Sequence, residues 1–329
     1  MKKNLIKSKL RCNILLMMLA VLFLSKETTL AAGNAVSSAA GQEHSLILKS
    51  DGTVWAWGGN TFGQLGDGTR VQKNVPVQVK GLTNITRIAV GANYSVALKA
   101  DGTVWSWGYN SFGELGNGGS ADSDTPKQTL DLTDVTEIAA GYNHVLALKK
   151  DGTVWTWGYD SVVGRKNYRP IKVQGLTDVR AISAGYRHSL VVRKDGKVLA
   201  WGENGYGQLG TGSTSSTSSP MYTNGLSNIV SVAAGQNHSL ALDVNGKVYA
   251  WGCGGSGQIG DGGGSDRGVP VNIPELTEIE EIASGSNANH SLALKKDGTV
   301  YVWGSNSRGQ LGDGTTNNSN KPVKVKITP

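Results

Sequence analysis

The chain has 329 residues, 46 of them glycine, nine of them tryptophan, and only 17% charged, a composition that suits many short strands and tight turns rather than helices. Its formal charge of +7 is concentrated at the start. Residues 1–32 carry Lys2, Lys3, Lys7, Lys9, Arg11 and Lys26 against Glu27 alone, leaving 26 Lys and Arg beside 24 Asp and Glu, a balance that argues against a nucleic-acid partner.

Lys2 to Arg11 forms a cationic stretch, and Ile14 to Leu24 is an apolar run of 11 residues, short of the roughly 20 needed to span a bilayer. Thr29-Leu30-Ala31 then supplies small residues for cleavage. Residues 1–32 are therefore predicted to be a signal peptide, with residues 33–329 a secreted body, at the cell envelope or outside it, without a stable membrane span. Cys253 would be the body's one cysteine, which excludes an internal disulfide.

The body repeats. Gly-x-x-His recurs at Gly41–His44, Gly141–His144, Gly185–His188 and Gly235–His238; Gly91–Tyr94 has Tyr in the His slot, and Gly285–His290 is two residues longer. Successive glycines lie 50, 50, 44, 50 and 50 apart, so one unit is copied six times. Each unit predicts a strand such as Ser45–Lys49, a type I′ turn at Asp51-Gly52, and a strand Thr53–Trp57. A Gly-rich loop follows, then strands such as Pro76–Lys80 and Ile85–Val90. Four short antiparallel strands per 44–50 residues point to blades about an axis. The fold class is therefore all-β: a closed propeller of six four-stranded blades. Lys321–Thr328 and Asn34–Ala40 are expected to share one blade and so hide both sheet edges. Trp57, Trp107, Trp157, Trp201, Trp251 and Trp303 fill one slot and are expected in the core.

The joined pattern Ala-Gly-x-x-His-Ser-Leu-Ala-Leu-x-x-Asp-Gly-Thr-Val-Trp-x-Trp-Gly-x-Asn-x-x-Gly-Gln-Leu-Gly-x-Gly, clear at Gly41–Gly68, Gly91–Gly118, Gly235–Gly262 and Gly285–Gly314, resembles the repeat of the regulator of chromosome condensation family. The resemblance implies a propeller; the founding family has seven blades, whereas the repeats here count six. The eukaryotic founder is a nuclear exchange factor for a small GTPase. A second branch, closer in setting, comprises secreted bacterial propellers that inhibit β-lactamases with loop aromatics.

No constellation for catalysis stands out. All five His share one repeat slot and would fall in different blades, so no metal or cofactor is expected. The loops Asp67-Gly68-Thr69, Asp261-Gly262-Gly263 and Asp313-Gly314-Thr315 offer one Asp each, fewer carboxylates than calcium needs. Glu43, Asp160 and Glu203 lie at the right end for a glycan hydrolase but in separate blades. Strand parity puts the Gly-x-x-His turns and the Gly-rich loops on one face. That face carries the predicted partner-binding residues Tyr94, Tyr109, Tyr142, Tyr159, Tyr186, Arg187 and Tyr206, with Phe62 and Phe112 either exposed beside them or packed under their own loops. Unit three is irregular, reading Tyr159 to Arg169 without Gly-Gln-Leu-Gly. The expected function is a monomeric, non-enzymatic scaffold binding an extracellular or cell-surface protein or glycan. Alternatives are an inhibitor of a secreted enzyme such as a β-lactamase, a nucleotide-exchange factor for a small GTPase, and a glycan-active enzyme.

Overall fold

A computed structural model describes residues 33–326; the predicted signal peptide, 1–32, lies outside the described residues. Twenty-four strands form six four-stranded antiparallel sheets, and among the described residues there is no helix. Blade 1 runs Ala35–Ala40, His44–Lys49, Val54–Gly58 and Lys73–Gln78, from inner to outer strand. Blades 2 to 6 span 85–128, 135–172, 179–222, 229–272 and 279–324. From blade 1 to blade 6 the first strand of each blade touches the first strand of the one after it, so these line the axis.

The blade boundary differs from the expected one. Lys73–Gln78 does not open the second blade; it pairs with Val54–Gly58 as the outer strand of the first, Ala56 opposite Val77. Gly81 to Asn84 is thus the crossover between blades, with Leu82 buried and Asn84 at φ 58°. Asp134, Asp178, Asn228 and Glu278 take the same left-handed conformation at the matching points, which Asn and Asp tolerate best. As a consequence the termini do not share a blade. Ala35–Ala40 pairs with His44–Lys49, and Ser319–Lys324 pairs with Val300–Gly304, so each terminal sheet is complete from its own unit.

The Asp-Gly hairpins also differ from expectation. Asp51 keeps a negative φ and only Gly52 is left-handed, at 77°. Gly52 N donates to Lys49 O, and Lys49 N to Thr53 O. This is a three-residue loop, a type I turn closed by a glycine bulge. The Asp51 carboxylate selects it by accepting from Thr53 N and Thr53 Oγ1, at 2.9 and 2.6 Å. At the other end, Gly58 is required: a Cβ there would lie 2.3 Å from Glu43 O.

The core sits between blades. Leu46, Leu48, Val54 and Ala56 of blade 1 pack on Ala97 and Trp107 of blade 2, and the next four junctions repeat this with their own residues. Trp107, Trp157, Trp201, Trp251 and Trp303 are buried as expected. Trp57 is the exception, half-buried on the free face of blade 1. Among the described residues, no strand of blade 6 packs on a strand of blade 1 as the other neighbours do. Leu292, Leu294 and His290 on one side, and Ser45 and Ile47 on the other, are correspondingly only half-buried.

Each packed junction also carries a polar link. His44, His144, His188 and His238 reach through Nε2 to Ser95, Ser189, Ser239 and Ser291 of the next blade, at 2.9–3.0 Å. Ser95 Oγ in turn donates to Gln64 O at 2.9 Å, so the imidazole must be the donor to the serine. Tyr94 replaces this link. Its hydroxyl donates to Gly141 O or His144 O, 2.9 and 2.7 Å away, and the facing position is Val145 rather than serine.

Candidate partner-binding face

The loops after Trp-Gly in blades 1, 2, 4 and 6 are built on one hydrogen-bonded frame. Asn60 is buried; its Oδ1 accepts from Leu65 N at 3.0 Å, and its Nδ2 donates to Thr69 O and Val71 O. Asn110, Asn204 and Asn306 do the same in blades 2, 4 and 6. Gln64 then holds the loop tip by accepting from Phe62 N at 3.0 Å. Its counterparts pin Phe112, Tyr206, Ser256 and Arg308. The frame is constant and the residue at its tip varies, an arrangement for display. Asp67 spends its Oδ1 on Thr69 N, Thr69 Oγ1 and Asn60 Nδ2, ordinary turn bonding rather than an open ligand set.

The displayed aromatics meet. Phe62 lies 4.9 Å from Tyr109, Tyr109 6.1 Å from Phe112, and Phe112 4.9 Å from Tyr159, ring centre to ring centre. These rings form one arc across blades 1 to 3. Phe62 and Phe112 are half-buried members of that arc, and Lys166 Nζ stands 4.9 Å over Phe112. A second pair, Tyr142 and Tyr186, lies 4.3 Å apart nearer the axis. Burial, then the Tyr186 hydroxyl, holds the Tyr142 phenol above its usual range. Arg187 sits 5.1 Å from the Tyr186 ring and binds Glu203 at 3.0 Å. Burial opposes its charge, but Glu203 outweighs burial and keeps the guanidinium firmly protonated. Tyr206 stands apart, 45% exposed.

Tyr94 does not belong to this surface. It is fully buried in the blade 2–3 core, because it occupies the His slot and its hydroxyl is consumed by backbone carbonyls. The sequence pattern missed the arc itself, since Phe62 and Phe112 could equally have packed inward. Glu43, Asp160 and Glu203 remain apart: Asp160 pairs with Arg165 and Glu203 with Arg187. Cys253 is half-buried, and burial raises its thiol pKa, which keeps it protonated.

Glu114 stands where other loops have Gln, and it is fully buried with Oε1 unpaired. Burial raises its pKa from 4.5 to about 7. The folded state therefore loses stability as pH rises through 4.5 towards 7, by up to about 3 kcal/mol at ~1.4 kcal/mol per unit. Glu114→Gln should raise the urea midpoint above pH 7, with the gain vanishing near pH 4.5. An equal gain at both pH values would show that the charge is not responsible.

A family model for the RCC1-like domain matches residues 20–329. The fold is similar to that of Prp20p from Saccharomyces cerevisiae, a structure described with its binding to Gsp1p and histones. The identity is 24%, the TM-score 0.79, and the match covers 89% of this chain and 77% of that one. Human WBSCR16 is similar at 26% identity and a TM-score of 0.80, over 90% of this chain and 82% of that one. The ectodomain of the Physcomitrella patens receptor kinase CR4 aligns at 17% identity with a TM-score of 0.54, over 84% of this chain and 63% of that one. With six repeats of one framed unit around an axis, and a family match across nearly its whole length, the chain belongs to the RCC1-like domain family.

Proposed function

We propose that this chain is a non-enzymatic scaffold, exported from the cell, that binds a protein partner through the loop face of blades 1 to 4. The observation that carries this reading is the continuous contact of Phe62, Tyr109, Phe112 and Tyr159, half-exposed on rigid loops beside Tyr142, Tyr186 and Arg187. Aromatic and Arg side chains held in place before binding lose little entropy on contact, which makes them effective anchors. Blades 5 and 6 offer Ser256 and Arg308 at the matching tips, so the surface is one-sided. Export rests on the charged and apolar pattern of residues 2–24.

Tyr142→Ala with Tyr186→Ala should reduce recovery of the bound protein in affinity capture by about tenfold, or ~1.4 kcal/mol, while the melting temperature stays within a few degrees. Equal recovery with both proteins would move the binding surface elsewhere. The sharper form of the reading is inhibition of a secreted enzyme such as a β-lactamase. Titration of the purified protein against a β-lactamase panel tests it, and absence of inhibition at micromolar protein would remove that form alone.

A further inference from the structure

The loop of blade 3 lacks the element that seals every neighbouring junction. In blade 1 the Gly-Gln-Leu-Gly segment drives Leu65 between blades and turns Gln64 O onto Trp107 Nε1 and Ser95 Oγ, each at 2.9 Å. Blades 4 and 5 repeat both bonds: Gln208 O takes Trp251 and Ser239, and Gln258 O takes Trp303 and Ser291. In blade 2 Glu114 O takes Trp157 alone, since Val145 has no hydroxyl. Leu115, Leu209 and Ile259 are the matching aliphatic plugs, all fully buried.

Blade 3 instead turns directly at 161–164, pairing Asp160 with Arg165. A cavity of about 560 Å³ is left between blades 3 and 4, lined by Trp201, Ser189, His144 and Val173, with Tyr159 and Arg187 also in its wall. Trp201 is 8% exposed, yet among the described residues its indole N–H has no acceptor. Ser189 Oγ meets only His144 Nε2, at 3.0 Å, and lacks the loop carbonyl to which Ser95, Ser239 and Ser291 donate. Four other junctions of this same chain show what satisfies that environment: an aliphatic side chain preceded by an outward-turned backbone carbonyl.

We infer that the cavity between blades 3 and 4 receives a loop of the partner protein, which supplies a carbonyl to Trp201 and Ser189 and an aliphatic side chain to the space beside Val173. The occupant is a tight, glycine-flanked turn with Leu or Ile at its tip. The inference rests on the loop face being the binding face, which it sharpens by naming the partner segment.

The probe is a cyclic peptide copying Asn60 to Thr69, with a second peptide carrying Asp in the Leu65 position. The indole N–H of Trp201, identified by its loss in Trp201→Phe, is followed by NMR in the full chain. Millimolar peptide should shift that resonance saturably downfield, leave the other indoles still, and lose the effect in the Asp peptide. Ser218→Phe, at the cavity wall, should weaken peptide binding by about tenfold. A stationary Trp201 resonance, or the same shift from the Asp peptide, overturns the inference. Undiminished binding to a folded Ser218→Phe overturns it too. If partner capture falls with Tyr142→Ala and Tyr186→Ala while Trp201 never responds, the face stands and the cavity reading falls. If Trp201 responds while those tyrosines prove irrelevant, the failure lies with the face.

Discussion

Acidification should erode stability gradually from about pH 6.5 and more steeply below about pH 4.5. Burial lowers His44 and His144 from 6.5 to about 4, and His188 and His238 to about 3. The folded state therefore resists protons that the unfolded chain accepts. The histidines' contribution is full above pH 6.5 and is lost as pH falls through that value towards 3–4. Two carboxylates work the other way. Glu114 and Glu137, both raised to about 7 by burial, become less costly between pH 7 and 4.5. Two acids offset only about half of the loss from four imidazoles down to pH 4.5, and below that value their offset no longer grows. Each pKa unit is worth ~1.4 kcal/mol, so the histidine loss soon rivals the roughly 5–15 kcal/mol that holds a domain folded. Loss of the Asp51 and Asp101 hairpin bonds on protonation adds in the same direction.

The chain supplies its own control. Tyr94 facing Val145 is a working link that does not titrate below neutrality. Copying it as His188→Tyr with Ser239→Val should keep the neutral melting temperature within several degrees and move the acid midpoint lower. An unchanged acid midpoint would remove His188 from this account.

The second large effect concerns the tryptophans, which the repeat makes equivalent in sequence and the structure does not. Trp107→Ala, Trp251→Ala or Trp303→Ala should cost about 3–5 kcal/mol, the range for emptying a large core site. Trp57→Ala should cost clearly less, because Trp57 faces the unpacked side of blade 1 and is half-buried. Trp→Phe separates the hydrogen bond from the packing. Trp157→Phe strands Glu114 O, which has no second donor because Val145 replaces the serine, at a cost of about 1–3 kcal/mol beyond lost contacts. Trp201→Phe strands no acceptor and should be milder. Urea midpoints for these variants test the order, and equal losses at positions 57 and 251 would contradict the uneven ring.

The repeat period, the six blades and the tryptophan slot were legible because 44–50-residue spacing and Asp-Gly turns are local signals. Blade phase was not, because whether Lys73–Gln78 joins the strand before it or after it depends on pairing, and both choices bury alternate residues alike. The turn class was misread because Asp-Gly suits two hairpin types, and the bond from Asp51 to Thr53 decides between them. Tyr94 looked like a surface aromatic when read alone; read together with Val145 in the facing serine slot, its burial could have been found. The missing Gly-Gln-Leu-Gly marked unit three as different, but only the bonds from Gln64 and Gln208 show what that segment does elsewhere.

Photo-crosslinking from defined positions tests the central claim most directly. A photoreactive phenylalanine is placed at Tyr109, Tyr159 or Tyr206 on the loop face, and at Ser50, Asp101 or Val244 beside the hairpin turns of the opposite face. Covalent adducts with one extracellular protein should form from the first set and not from the second. Adducts formed only from the hairpin side would contradict the account.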